Sequence, residues 1–376
     1  MFAPAVWFAV QEQLSRTGGQ HADPDPTQRY LDQFDDEFLF GNFHFGRECL
    51  TFIVDLLRVR FGKKLPDRVD AAVLAALGFF ATGSVSRTVM DRLGLDRASA
   101  DEAVRSVSRL LAGMVPQFVT FPGSHNDRMC VAQTIKDLSR IPNVVGILGC
   151  LHVRVTPPAD SAALYLNALG YTSVLTQAVC DSDGNLLSVE GCCPGGTPEQ
   201  KVWDGSSISF QFRQGCHGPN WLIGGRGYEL SRHIMTPLRF NCSKGHSKAH
   251  YSIAHHKVLC CGLRAFGALK SRFRCLEDLG PVDGSLGRAA RVIHACCVLH
   301  NIGKKFSAPL PGQLVPEPIQ PLPFVRAEAL ASNLYEVEIM QDDMIRACFG
   351  HSDEENSRRP ELGREEEEGA DLTQPA

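Results

Sequence analysis

The chain has 376 residues, 44% of them hydrophobic, and a formal net charge of −4. That is enough to bury a sizeable core in one large domain or two smaller ones. Its 14 cysteines include three adjacent pairs and no CxxC, which excludes a disulfide framework and favours buried, reduced thiols in an intracellular protein.

Residues 1–10 are apolar but lack a basic leader, and no apolar run reaches the roughly 18 residues of a membrane span, so neither a signal peptide nor a membrane partner is expected. The charge is unevenly placed. Residues 351–376 hold nine acids against three arginines, which leaves the rest of the chain at +2. Such a tail reads as a solvated, disordered extension, either purely solubilising or competing with DNA for the basic surface of the body.

Residues 1–35 read as a variable lead, broken at Asp23-Pro-Asp-Pro26. Residues 36–130 read as a helical domain. Leu50, Ile53, Val54 and Leu57 fall at helical spacing, and 71–80 is apolar on every side, as a buried helix requires. Thr88 to Leu93, the turn Gly94-Leu95, and a helix started by Asp96 or by a Ser99…Glu102 capping box follow. Two helices joined by a short glycine-containing turn fit a helix-turn-helix-like element. The second helix presents Arg97, Arg105 and Arg109 beside Asp101 and Glu102, so a base-reading helix and a purely structural pair are both open readings.

The pattern changes to strands at residue 144. Segments 144–148 and 152–156 are expected as two strands around a tight turn at Gly149-Cys150. Segments 173–180 and 186–190 flank Asp183-Gly184, a good hairpin turn, and 221–224 is a short apolar strand. Helices return at about 260–273 and 289–302, giving an α/β layer fold. A Pro-rich stretch, 306–327, reads as a linker before a last helix at 328–350.

Several motifs occur in fixed order. They are Val144-Val-Gly-Ile-Leu-Gly-Cys-Leu-His152, Tyr165-Leu-Asn-Ala-Leu-Gly-Tyr171, Ala178-Val-Cys-Asp181, Pro194-Gly195, Ile223-Gly-Gly-Arg-Gly-Tyr228, Met235-Thr-Pro-Leu238, Phe266-Gly-Ala-Leu-Lys-Ser-Arg272 and Ala295-Cys-Cys-Val-Leu-His-Asn301. Over residues 35–305 this set resembles the Harbinger transposase-derived nuclease family. The resemblance implies an RNase H-like, DDE-type domain at 135–305, preceded by the helical domain with its helix-turn-helix-like element. It also implies a nuclease chemistry in which three carboxylates hold two divalent ions such as Mg²⁺.

The three ligand slots of the family fall on Gly149, Gly225 and Leu263, none of which offers an oxygen donor. No Asp or Glu occurs between Asp137 and Asp160 or between Glu229 and Glu277, and Arg226 adds positive charge beside one slot. Substitute ligands are weak: Asp181, Glu190 and Glu229. Ala168-Leu169 stands where relatives carry an Arg-Lys pair. A basic strip of Arg264, Lys270, Arg272 and Arg274 fits either phosphate contacts or a solvated helix face.

Other constellations carry less. His246, His250, His255, His256, Cys260 and Cys261 lie close together, but their spacing matches no standard zinc finger. Cys150 with His152 lacks an orienting acid for a thiol nucleophile. Residues 224–227 lack the Lys-Ser/Thr of a phosphate loop, and His300-Asn301 reads as a capping or packing element.

The expectation is a catalytically silent protein without a cofactor, acting on DNA or on a protein partner. The resemblance implies a location in nucleus and cytoplasm and a Myb-like partner for nuclear import, since Lys63-Lys64 and Lys304-Lys305 are its only lysine pairs of that kind. Two alternatives stand beside it: an endonuclease dependent on a divalent metal such as Mg²⁺ and using unrecognised ligands such as Asp181, Glu190 and Glu229, and an interaction scaffold with no affinity for DNA.

Overall fold

The computed structural model describes residues 31–61, 69–239, 247–282, 285–324 and 331–350. Of the expected lead, residues 1–30 lie outside these, as does the acidic tail, whereas Leu31 and Phe34 are buried in the core and Asp35 caps the first helix.

The first helices are α1 (Asp36–Phe43), α2 (Arg47–Phe61), α3 (Val69–Thr82), α4 (Arg87–Leu93) and α5 (Arg97–Ala112). Their ends follow local chemistry. Asp35, Ser86 and Asp96 each accept a backbone N–H of the first turn of α1, α4 and α5, and Gly94 closes α4 in the left-handed region. Asp96 therefore starts α5, while Glu102 bonds Ser106 and Arg105 instead of completing a capping box. α3 is buried along most of its length, and its one acid, Asp70, is held by Arg58 at 2.8 Å. Two helices that periodicity did not reveal follow, the short α6 (Val115–Phe118) and α7 (His125–Ser139), whose N-cap is Ser124.

A six-stranded sheet comes next. Its strands are β1 (Val144–Thr156), β2 (Ser173–Cys180), β3 (Leu186–Pro194), β4 (Trp221–Ile223), β5 (Ile234–Met235) and β6 (Asp278–Pro281). The order is β3-β2-β1-β4-β5, with β6 pairing the far end of β1. β1, β2 and β3 form an antiparallel meander, and β4, β5 and β6 run parallel to their neighbours.

The expected turn at Gly149-Cys150 is corrected. β1 is one strand of 13 residues, and Gly149 and Cys150 pair in register with Ala178 and Gln177. Gly149 is no bend: the Phe266 ring packs over it, and a Cβ there would lie 3.0 Å from that ring. The hairpin at Asp183-Gly184 forms as expected, with Gly184 at φ +85°.

Three short helices, α8 (Ala162–Tyr165), α9 (Glu199–Asp204) and α10 (Ser207–Arg213), sit between the strands, and three long ones complete the chain: α11 (Ser247–Arg272), α12 (Gly287–Lys305) and α13 (Ala331–Phe349). β1 sends Ile147, Leu151, Val153 and Val155 into a large core, and Leu148 into a smaller one with Trp203 and Phe212. The large core runs without a break from Leu31 to Phe349, so the helices before the sheet share their apolar interior with it.

α12 joins the two regions. Its Asn301 is fully buried, accepts from Leu186 N and donates to the carbonyls of Leu186 and Phe118. His300 Nε2 donates to Gly184 O, and Lys304 donates to Asp183 O. The pair read from sequence as packing is thus the bolt between β3, its hairpin and α6. Among the described residues no helix is long and apolar enough to cross a membrane.

Candidate functional site

Gly149 comes from the middle of β1, Gly225 from the loop after β4, and Leu263 from α11; all three line one cleft of about 70 Å³. Their convergence depends on close backbone approach. A Cβ on Gly262 would lie 2.8 Å from Ile147 Cγ2, so α11 crosses β1 tightly enough to bring Leu263 and Phe266 over the strand.

The cleft is filled rather than open. The Phe266 ring lies against Gly149, and Leu259 and Leu263 add apolar wall. The stretch expected as a linker closes the outside. Residues 306–324 lie antiparallel along α11: Arg272 donates to Ala308 O, Ser271 to Pro311 O, and Glu317 N to Leu263 O. Gly267 makes room for this strap, since a Cβ there would collide with the backbone of Val315. Glu317 pairs with Lys270 at 2.6 Å, and Arg226 stacks over Phe324 at 4.8 Å. The strap's proline-rich backbone has few N–H groups to satisfy, which suits a segment pressed onto a helix outside any sheet.

Two carboxylates that sequence reasoning missed reach the cleft, Glu199 and Glu317. Glu317 had a signal: it is the single charged residue of the stretch 306–324. Glu199 had none, because its approach depends on the turn that seats α9 against Gly227. Burial raises Glu199 to about 7 from the ordinary 4.5. The folded chain therefore keeps this proton longer than the unfolded chain does. The resulting penalty is absent below the unfolded value and complete above the folded one.

Glu199→Gln is expected to raise stability at pH 8 by about 1–2 kcal/mol, a figure discounted for the partial exposure of the side chain. At pH 4 it should change nothing. Urea denaturation at the two pH values checks this, and a substitution that destabilises the protein at pH 8 contradicts it.

The remaining polar groups are committed to structure. Cys150 Sγ lies 3.4 Å from Tyr228 Oη, and burial pushes both groups well up, so the thiol stays protonated. His152 Nδ1 sits 3.0 Å from Ser173 Oγ, and burial, with Lys270 nearby, lowers it to about 4. Cys150 and His152 are thus each engaged with another side chain, and burial opposes the charged form of both, the reverse of what a thiolate–imidazole pair needs.

The substitute ligands are corrected on the same ground. Asp181 accepts from Asp183 N, Asn185 N and Asn185 Nδ2, which locks the hairpin. Glu190 accepts from Ser207 N and Ile208 N and caps α10. Neither lines the cleft, nor does Glu229, whose N–H donates to Gln200. Hard divalent ions need several oxygen donors. Two glycines and a leucine at the slots, with Phe266 packed over one of them and one of two nearby carboxylates already paired to lysine, do not fit such a pair of ions. Among the described residues no group of three His, Cys, Asp or Glu is placed to share a metal. Of the histidine–cysteine cluster, His246 lies outside the described residues, while His255 is buried against Met235 O.

The basic strip on α11 also needs correction. Arg272 is 3% exposed and donates to the carbonyls of His44 and Ala308, with its guanidinium 5.0 Å from the Phe45 ring. Lys270 is held by Glu317. Arg264 and Arg274 are exposed, but Arg274 lies beyond the end of α11. The four charges form no continuous strip.

A mixed α/β sheet with a cleft between β1, the β4 loop and a crossing helix defines a nuclease-like domain of the DDE class, and residues 148–301 match the family model for the DDE superfamily endonuclease. The chain belongs to the Harbinger transposase-derived nuclease family. It is 30% identical over 324 residues to the protein named "Putative nuclease HARBI1" of Bos taurus, covering 85% of this chain and 92% of that one. The Xenopus laevis protein of that name is 28% identical, covering 72% and 79%. "Protein ALP1-like" of Arabidopsis thaliana is 20% identical, covering 69% of each chain. No solved structure matches the chain significantly.

Proposed function

We propose that this chain keeps the fold of a transposase-derived nuclease without its catalysis and serves as a DNA- or protein-binding module in the nucleus. The observation that carries the reading is the state of the three ligand slots. Gly149 lies under the Phe266 ring, Gly225 bears no side chain, and Leu263 is bonded through its carbonyl to the strap. Nothing at those positions can hold the charge of two divalent ions or activate a water.

The antiparallel meander β1–β3, with β4 and β5 parallel to β1, supports an RNase H-like arrangement of the domain. α4 and α5, joined at Gly94, supply the helix-turn-helix-like element. Import with a Myb-like partner, and a distribution between nucleus and cytoplasm, belong to the same proposal.

Supercoiled plasmid incubated with the protein and Mg²⁺ or Mn²⁺ tests it. No relaxation above the metal-only control is expected. Metal-dependent nicking that disappears in Glu199→Gln/Glu317→Gln would replace this reading with an active endonuclease.

A further inference from the structure

α5 and α12 pack side by side, and a cleft of about 430 Å³ runs along their seam. Arg97, Arg105 and Arg109 enter it from α5, and Arg288 and Arg291 from α12. All five are exposed, while Val104 is buried beneath them. Asp101 is the single acid on the cleft wall. Arg97 approaches Asp101 at 3.6 Å and Arg105 approaches Glu102 at 2.8 Å, both on the surface, where such pairs hold weakly. Arg109, Arg288 and Arg291 have no carboxylate within salt-bridge reach among the described residues.

Two independent observations indicate that this concentration of charge is meant for a ligand. Ser108, 2% exposed, lines the cleft with a hydroxyl that has no hydrogen-bond partner. Buried hydroxyls are rarely left unpaired. In addition, α12 has no acid in its first turn, where Gly287 N makes only a long 3.4 Å bond to Ser285 Oγ, and it carries Arg288 in that turn with Arg291 just after it. Cations at a helix start oppose its dipole, and an anion lying in the seam would offset that cost.

We propose that this seam binds the phosphate backbone of a nucleic-acid strand, with Arg105, Arg109, Arg288 and Arg291 on phosphates and Ser108 as a further donor. The inference rests on the nucleic-acid-binding half of the function proposed above and places that binding away from the nuclease cleft, with which the seam shares no residue. The shape favours a strand over a compact anion. From Arg97 to Arg109 the row extends about 18 Å along α5. Phosphates on one strand of a duplex recur about every 3.4 Å along its axis, so the row spans several of them. A second cleft of about 270 Å³ shares Phe79, Arg288 and Val292 with the first and adds Leu279, Pro281 and Val282, which continues the groove with apolar wall.

The test is a salt titration of binding by fluorescence anisotropy, using the full chain with a labelled 20-mer duplex and the matching single strand. Arg288→Ala/Arg291→Ala is expected to weaken binding about tenfold or more and to reduce the slope of log affinity against log salt by about 2. Arg264→Ala/Arg274→Ala should leave the slope near that of the unaltered chain. Arg288→Gln/Arg291→Gln replaces the alanine pair if thermal melting shows the latter has lost stability.

Unaltered DNA binding in the seam variants, with the wild-type chain binding normally, overturns the inference and leaves the proposed function standing. Absence of any binding by the wild-type chain at low salt overturns the inference together with the DNA half of the proposal. Equal affinity for a polyglutamate peptide of the same charge overturns the assignment to nucleic acid.

Discussion

Asn301→Ala is expected to cost about 3–5 kcal/mol of folding stability, from three buried backbone groups left unpaired at about 1–3 kcal/mol each before relaxation. The side chain is fully buried, accepts from Leu186 N at 2.9 Å, and donates to Leu186 O at 2.7 Å and Phe118 O at 2.8 Å. The side chain is sealed from solvent, and alanine adds a small cavity to the loss. Because the bonds tie α12 to β3 and α6 at once, unfolding of the sheet and of the preceding helices should remain a single transition in the wild-type chain. Urea denaturation followed by tryptophan fluorescence and circular dichroism measures both. A loss under 1 kcal/mol would mean that the carbonyls find other donors, and the bolt would not be what joins the regions.

Arg272→Ala is expected to have a comparable cost, about 3–5 kcal/mol, from two hydrogen bonds of a buried charged donor at about 1.5–3 kcal/mol each. Burial lowers Arg272 to about 10, so it is still protonated at neutral pH. Its guanidinium donates to His44 O and Ala308 O, each at 2.7 Å, while its own carbonyl accepts from His44 Nδ1 at 2.7 Å. Gly303 supplies the space: a Cβ there would lie 2.9 Å from Phe45 and 3.5 Å from the guanidinium carbon. One residue thus fastens the α1–α2 turn to α11 and also anchors the start of the strap. Hydrogen exchange should accelerate over 308–317 in the variant. At a temperature where it remains folded, its salt dependence of DNA binding should match that of the wild-type chain. A lowered slope would make Arg272 a phosphate contact after all and would contradict the structural role.

Arg272 also shows where sequence reading stops. At helical spacing with Arg264 and Lys270 it has the pattern of a surface strip, and only the tertiary approach of His44, from more than two hundred residues away, turns it inward. The elements themselves were more readable. Asp183-Gly184 marked the hairpin with β2 and β3 as its flanks, the short apolar run at 221–224 marked β4, and the unbroken apolar run of α3 marked a buried helix.

The misreading of β1 came from treating glycine as a break, when Gly149 stays in register within the strand, under the Phe266 ring. β6 was invisible because four residues containing Gly and Pro carry no period. In the site, the three slots were legible from motif order, and the structure brings them into one cleft. The strap was not, because prolines signal a linker until Gly267 and the carbonyl of Leu263 are seen to receive it. Arg288 and Arg291 escaped notice for a related reason: only the packing of α12 beside α5 puts them in a row with Arg105 and Arg109.

The most direct test of the central claim is calorimetric titration of Mn²⁺ into the purified full-length chain, with Glu199→Gln/Glu317→Gln titrated in parallel. No saturable heat is expected for either protein at concentrations where carboxylate-bound two-ion sites fill. One or two equivalents bound by the wild-type chain, and lost in the double variant, would show that the cleft under the strap still assembles a metal site.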